Sequence, residues 1–224
     1  RLLFGALPLA LWLSIQEKNL PIKIRFWTSV LIMGVLNNFL PFNFIAFGQL
    51  YVTGGMASIV NANTAFMGVI ISGLFLSGEP ATWNRVVGVM IGVTGVAIAI
   101  GITPMLTAAD ANDLLLGSLA IIVATIAYAF AGVWGKIKLA EYSPTQSAVG
   151  MLICSSVISV LCSFFISGPP SLTIINHPFD LIKVVLGLGV LGTALAYPLY
   201  FRILEVAGSS NLMLVTIIVP VFAI

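Results

Sequence analysis

Gly34-Val-Leu-Asn-Asn-Phe-Leu40 and Gly189-Val-Leu-Gly-Thr-Ala-Leu195 match in register: Gly34 with Gly189, Val35 with Val190, Leu36 with Leu191, Leu40 with Leu195. Val60 recurs as Val215 at the same offset of 155 residues. Both stretches lie in almost unbroken apolar sequence. An internal repeat among membrane spans is the pattern of a transporter whose site lies between two related halves.

Composition supports a membrane setting. Of 224 residues, 60% are hydrophobic and only 7% charged, with a mean hydropathy of +1.15. A soluble domain has about a quarter of its residues charged, so this chain cannot cover a water-facing surface and reads as an integral membrane protein. Cys154 and Cys162 lie eight positions apart in one apolar run. On a helix that separates them by roughly 12 Å, too far for a disulfide, so they read as packing residues. Residue 1 is Arg, and the last apolar run reaches Ile224 after about 14 residues, short of the roughly 20 that a span needs. Both ends therefore read as truncated.

Apolar runs set against turn signals give eight segments, at about 1–15, 26–51, 56–77, 84–102, 114–135, 144–167, 181–204 and 210–224. All are helical by length, and no run alternates as a membrane barrel strand does. The expected fold is an all-α polytopic bundle. If alternate loops share a side, one side carries Lys18, Lys23, Arg25, Arg85, Lys136, Lys138 and Arg202, and the other only Arg1 and Lys183. The positive-inside rule then makes the loops near 16–25, 78–85, 136–143 and 203–209 cytoplasmic. The stretches Thr103–Asp113 and Ser167–Asp180 read as outside loops. With this orientation the span from 26 to 51 runs outward and its copy at 181–204 runs inward, so the repeat is inverted. Five spans fit within the offset. The complete protein is expected to have ten helices, in repeats covering 1–102 (lacking its first helix) and 114–224 (lacking its last).

An enzyme is not expected. His177, the only histidine, falls in an outside loop, and no His/Cys/Asp/Glu cluster has the spacing of metal ligands. No metal or other cofactor is expected, nor a nucleic-acid partner. Gly88, Gly92 and Gly95 read as a stripe of small residues that lets a neighbouring helix approach.

The uncharged polar residues carry more information. Asn37, Asn38, Asn43 and Gln49 fall in one span, and Asn61, Asn63 and Thr64 in the next. Amides facing lipid would leave donors and acceptors unsatisfied, so they should face the bundle interior or an aqueous cavity, as helix-joining groups or as a solute site. Asn61 and Thr64 share a helix face; Asn63 does not. Pro41, Pro198 and Pro220 lie within spans, and each frees the carbonyl four residues earlier, on Asn37, Ala194 and Thr216. Thr216 is the repeat counterpart of Asn61. Helices interrupted at corresponding places in inverted halves point to a midplane site, to which Tyr128, Thr193 and Tyr197 would add rings and hydroxyls. No Asp, Glu, Lys or Arg sits at mid-span; Glu17, Glu79, Glu141 and Glu205 all fall at cytoplasmic ends. Phosphorylated or nucleotide-linked anions are therefore disfavoured as cargo. A coupling proton would need a carboxylate on a helix outside this chain.

Ala57-Ser-Ile-Val-Asn-Ala-Asn-Thr-Ala-Phe66, running on to Leu76-Ser-Gly-Glu79, resembles the fourth helix of EamA-type members of the drug/metabolite transporter superfamily. Gly88-Val-Met-Ile-Gly-Val-Thr-Gly95 is similar to the helix that follows. Gly192-Thr-Ala-Leu-Ala-Tyr197, Glu205-Val-Ala-Gly-Ser-Ser210 and Val219-Pro-Val-Phe222 are similar to the eighth and ninth. Each motif is loose; their order and the five-helix period make the match. The family usually has Pro where this chain has Ala65, whereas Pro220, its counterpart at the same offset, is kept. The resemblance implies ten helices in two inverted repeats and alternating access around a cavity of the third, fourth, eighth and ninth helices. Those helices here hold Asn37, Asn38, Asn61, Asn63, Thr64, Tyr197 and Thr216. The expected partners are the lipid bilayer and a small-molecule solute, a metabolite or drug, moved outward. In a prokaryote the location would be the inner or plasma membrane. The rival reading is a polytopic membrane receptor or scaffold that moves nothing. Oligomeric state is left open by the sequence.

Overall fold

A computed structural model of the chain describes residues 2–15, 19–100, 111–168 and 178–222. Arg1, Glu17, Lys18, Asp110 and His177 lie outside the described residues, as does most of each expected outside loop. The described chain is helical: α1 (Leu2–Ile15), α2 (Ile24–Gly34), a π-helical segment π1 (Val35–Phe39), α3 (Leu40–Gly48), α4 (Gly54–Phe75) and α5 (Trp83–Ile100). Then follow α6 (Ala111–Lys138), α7 (Pro144–Ser167), α8 (Pro178–Ile182), a second π segment π2 (Lys183–Leu195), α9 (Ala196–Ala207), α10 (Ser209–Met213) and α11 (Val215–Phe222). Among the described residues, Ile24–Gly48, Gly54–Phe75, Ala111–Lys138, Pro144–Ile166 and Val185–Ala207 are each long and apolar enough to cross a bilayer. Their outer faces present Leu, Ile, Val and Phe, as at Leu116, Val160, Phe165, Leu191 and Leu199. Such a surface suits lipid and not water.

Helix ends follow from local chemistry. The Ser143 hydroxyl accepts from the Gln146 amide while the Gln146 side chain accepts from the Ser143 N–H, and Pro144 fills the first turn of α7. This reciprocal cap satisfies two donors that a helix start leaves open. Thr53 caps α4 through the Met56 amide. Within spans, buried hydroxyls turn back onto their own helix: Thr125 to the Ile122 carbonyl and Ser155 to that of Met151.

The chain forms two compact units: Arg1–Val35 with Lys138–Glu205, and Leu36–Ile137 with Val206–Ile224. In the first, α1 packs on π2 and α7, and α2 on α7. Phe26, Val30 and Met33 of α2 are fully enclosed, as are Val149, Met151 and Leu152 of α7. The Phe26 ring meets Tyr142 edge-on at 4.8 Å. Both glycines of the repeat lie in this unit beneath a neighbouring helix. A Cβ on Gly34 would stand 3.1 Å from the Met151 carbonyl oxygen, and one on Gly189 2.8 Å from the Phe4 Cβ. The repeated glycine thus marks two close helix approaches.

In the second unit, α4 packs on α5, α10 and α11, and α11 also on α5. Val52, Met56, Ala57 and Val60 gather with Ile121 of α6; Ala65 and Val69 gather with Val89 and Ile217; Ile71 gathers with Ala129 and Val133. A close, reciprocal backbone approach joins α3 and α6. A Cβ on Gly48 would meet the Gly117 carbonyl oxygen at 2.8 Å, and one on Gly117 would meet the Gly48 oxygen at 2.9 Å.

That pairing corrects the reading of the α5 glycines. Among the described residues nothing lies within 4 Å of a Cβ placed on Gly88 or Gly95, and of the three only Gly92 meets a neighbour, the Ile217 side chain at 3.2 Å. Spacing alone did not distinguish a glycine in contact from one beside open space; Gly88 lines a cavity of about 270 Å³ with Ser210 and Asn211. Gly117→Ala is expected to destabilise the protein by about 1–3 kcal/mol through overpacking. Gly95→Ala is expected to stabilise it by up to about 1 kcal/mol through helix propensity. Detergent-titrated unfolding of the purified protein checks both; equal effects would refute the glycine-to-glycine contact.

Candidate functional site

The two π segments overlap in repeat register: Val35–Phe39 corresponds to Val190–Ala194, inside π2. A π turn bonds each N–H to the carbonyl five residues back, so the helix carries an extra residue per turn, a geometry that clusters at functional positions. Pro41 is the second residue of α3 and Pro198 the third of α9, each just beyond its π segment. A missing proline donor thus falls where the bonding register changes. Two side chains bond carbonyls near the change, though not the ones that the prolines free. Asn43 Nδ2 donates to the Phe39 carbonyl at 2.7 Å, and Thr193 Oγ1 donates to the Leu188 carbonyl, five residues back, at 2.6 Å.

Each π segment encloses polar side chains at mid-span. Asn37 and Asn38 are 2% and 0% exposed, and Thr193 is 0% exposed. Asn38 and Thr193 are repeat counterparts, a relation legible from the 155-residue offset but not drawn from it. Asn43 and Gln49 depart from the expectation for the span amides. Both are exposed: Asn43 folds back on its own helix, and Gln49 ends α3.

On α4, Asn61 and Thr64 lie on one strip, with Thr64 Oγ1 donating to the Asn61 carbonyl at 2.7 Å. Asn63 turns its Nδ2 to the Val60 carbonyl at 3.1 Å. The Oδ1 of Asn61 is enclosed and accepts no hydrogen bond among the described residues. Thr216, half-buried on α11, donates to the Met213 carbonyl at 2.7 Å. Asn61 and its repeat counterpart Thr216 therefore sit on two helices that pack together. Asn37, Asn38, Asn61, Asn63, Thr64 and Thr216 all fall in the second unit, whereas Tyr197 and Pro198 fall in the first. Tyr197 is buried, with the Tyr200 ring edge-on at 6.0 Å. Tyr128 is half-buried on α6. Ala65 is fully enclosed, and Pro220 on α11 is buried too.

The charge-rich ends hold an interaction that sequence reading missed. The Glu79 carboxylate accepts from both amides that open α10, Ser209 N to Oε1 at 2.8 Å and Ser210 N to Oε2 at 2.7 Å. It thereby caps a helix start 130 residues further along the chain. Gly208 precedes these amides with φ +87°, and a Cβ there would collide with the Glu79 carboxylate. Glycine is required on both counts. In the first unit, Gln146 Nε2 donates to the Asn19 carbonyl at 2.8 Å. Beside it the Tyr142 phenol is pushed up by burial and then by Glu141, against a smaller opposing pull from Arg25.

Apolar helices of membrane-crossing length, polar residues enclosed within them and a lipid-facing exterior define an integral multi-pass membrane protein. The chain belongs to the EamA-like transporter family, whose model matches residues 1–101 and again 115–224. It is 25% identical over 224 residues to the uncharacterized transporter YoaV of Bacillus subtilis strain 168, covering 100% of this chain and 74% of that one. It is also 25% identical over 203 residues to an uncharacterized transporter of Archaeoglobus fulgidus, covering 91% of this chain and 68% of the relative. No solved structure matches the chain.

Glu79→Gln, which keeps one neutral acceptor, is expected to cost about 1–2 kcal/mol, since hydrogen bonds to charged groups are the stronger ones. Gly208→Ala is expected to cost at least as much, from backbone strain and the clash with the carboxylate. Thermal unfolding in detergent reads both, and wild-type stability in Glu79→Gln would show that the cap is not holding α10.

Proposed function

We propose that this transporter is a secondary carrier that moves a small, largely neutral or zwitterionic metabolite or drug-like solute outward by alternating access. The repeats at 1–102 and 114–224 are taken as inverted and as rocking about the polar mid-span positions. The observation that carries the reading is the pair of π segments in repeat register, each enclosing uncharged polar side chains. An enclosed amide in a membrane span is costly unless it serves a partner, and a span interrupted there frees further backbone groups. Asn37, Asn61 and Thr216 are the first choices for hydrogen-bonding the solute, and the enclosed Oδ1 of Asn61 is an acceptor awaiting a donor. The absence of mid-span charge in the sequence favours cargo without net charge.

Proteoliposomes loaded with a panel of amino acids and neutral metabolites should show protein-dependent flux of at least one. Asn61→Ala and Thr216→Val should each lower its initial rate about fivefold, the worth of roughly one hydrogen bond, with elution on gel filtration unchanged. Counterflow in right-side-out and inverted vesicles assigns direction. The reading fails if no solute moves and Asn61→Ala leaves export from cells unaltered.

A further inference from the structure

The second unit also holds a cavity of about 510 Å³ at its charge-rich end, between the last turns of α4 and α6 and the link from α9 to α10. Its walls bring together two cations, Arg85 and Lys136, with three apolar side chains, Phe75, Ile137 and Val206. All three apolar residues are at least half exposed, at 59%, 50% and 70%. Glu79 also lines the space, but both its oxygens are engaged by the Ser209 and Ser210 amides. The cavity lining thus carries two cations and one carboxylate, an excess of one positive charge, with the carboxylate oriented onto the Ser209 and Ser210 amides. Arg85 Nη1 donates to the Pro80 carbonyl at 3.3 Å, which uses one of five guanidinium donors.

Cations and exposed apolar surface in one cavity, where spans end, match an amphiphile with an anionic head and hydrocarbon tails. We propose that this cavity binds an anionic phospholipid, its phosphodiester held by Arg85 and Lys136 and its acyl chains lying along Phe75, Ile137 and Val206. A phosphate held by both cations would tie the start of α5 to the end of α6. A zwitterionic lipid brings a headgroup ammonium toward the same cations. Inorganic phosphate forgoes the apolar contacts.

The test adds phosphatidylglycerol, phosphatidylcholine or inorganic phosphate to the full chain in neutral detergent, following thermal unfolding and counting bound lipid by native mass spectrometry. Phosphatidylglycerol is expected to raise the melting temperature by about 3 °C or more and to be retained in the spectrum, while the other two additions do neither. R85Q and K136Q should each lose part of the shift and the double variant all of it. R202Q, which removes an exposed cation paired with Glu205 outside the cavity lining, should lose none. Equal stabilisation by phosphatidylcholine, the same shift from inorganic phosphate, or a shift unchanged in both single variants would overturn the proposal.

Discussion

In a bilayer every backbone donor and acceptor must find its partner inside the protein, and an unsatisfied one costs several kcal/mol. That requirement produces the long helices here and also limits where they can be interrupted. The two spans that carry the repeat change from α to π bonding and back, and each has a proline just beyond the change. Polar side chains of the same helices bond carbonyls beside the interruptions, Asn43 that of Phe39 and Thr193 that of Leu188. The enclosed Asn37, Asn38 and Thr193 sit within those same π segments.

The spans were legible because a membrane helix is nearly a compositional object. Pro144–Ser167 agrees with the expected 144–167, and Trp83–Ile100 lies within two residues of 84–102. Less legible was anything that depended on which neighbour a face meets. Gly88 and Gly95 had the spacing of a contact stripe yet meet nothing within 4 Å among the described residues, whereas Gly48 and Gly117, far apart in sequence and in no motif, press backbone to backbone. Helical periodicity says which residues share a face but not what that face touches. Asn43 shows the same limit from the polar side, because a span amide can satisfy itself on its own carbonyl.

The candidate site was partly readable for the same reason. Asn61 and Thr64 sharing a strip follows from a three-residue spacing, and their helix packing on the one with Thr216 fits the repeat offset. The π segments left no compositional trace, since bonding five residues back instead of four needs no special residue. The pairing of Glu79 with Ser209 and Ser210 was equally hidden, for a cap that spans 130 residues has no local signature.

The same cap has a consequence for the order in which the protein is made. Ribosomes add about 5–20 residues per second, so Glu79 enters the membrane roughly ten seconds before the Ser209 and Ser210 amides exist. The second unit is discontinuous, Leu36–Ile137 being made first and Val206–Ile224 only after some seventy intervening residues. During that interval α4 and α6 stand without α10 and α11, and the carboxylate rests at the membrane surface without its amides. The nascent protein must therefore hold an unfinished second unit through the synthesis of two further spans, until Val206–Ile224 joins what Leu36–Ile137 began.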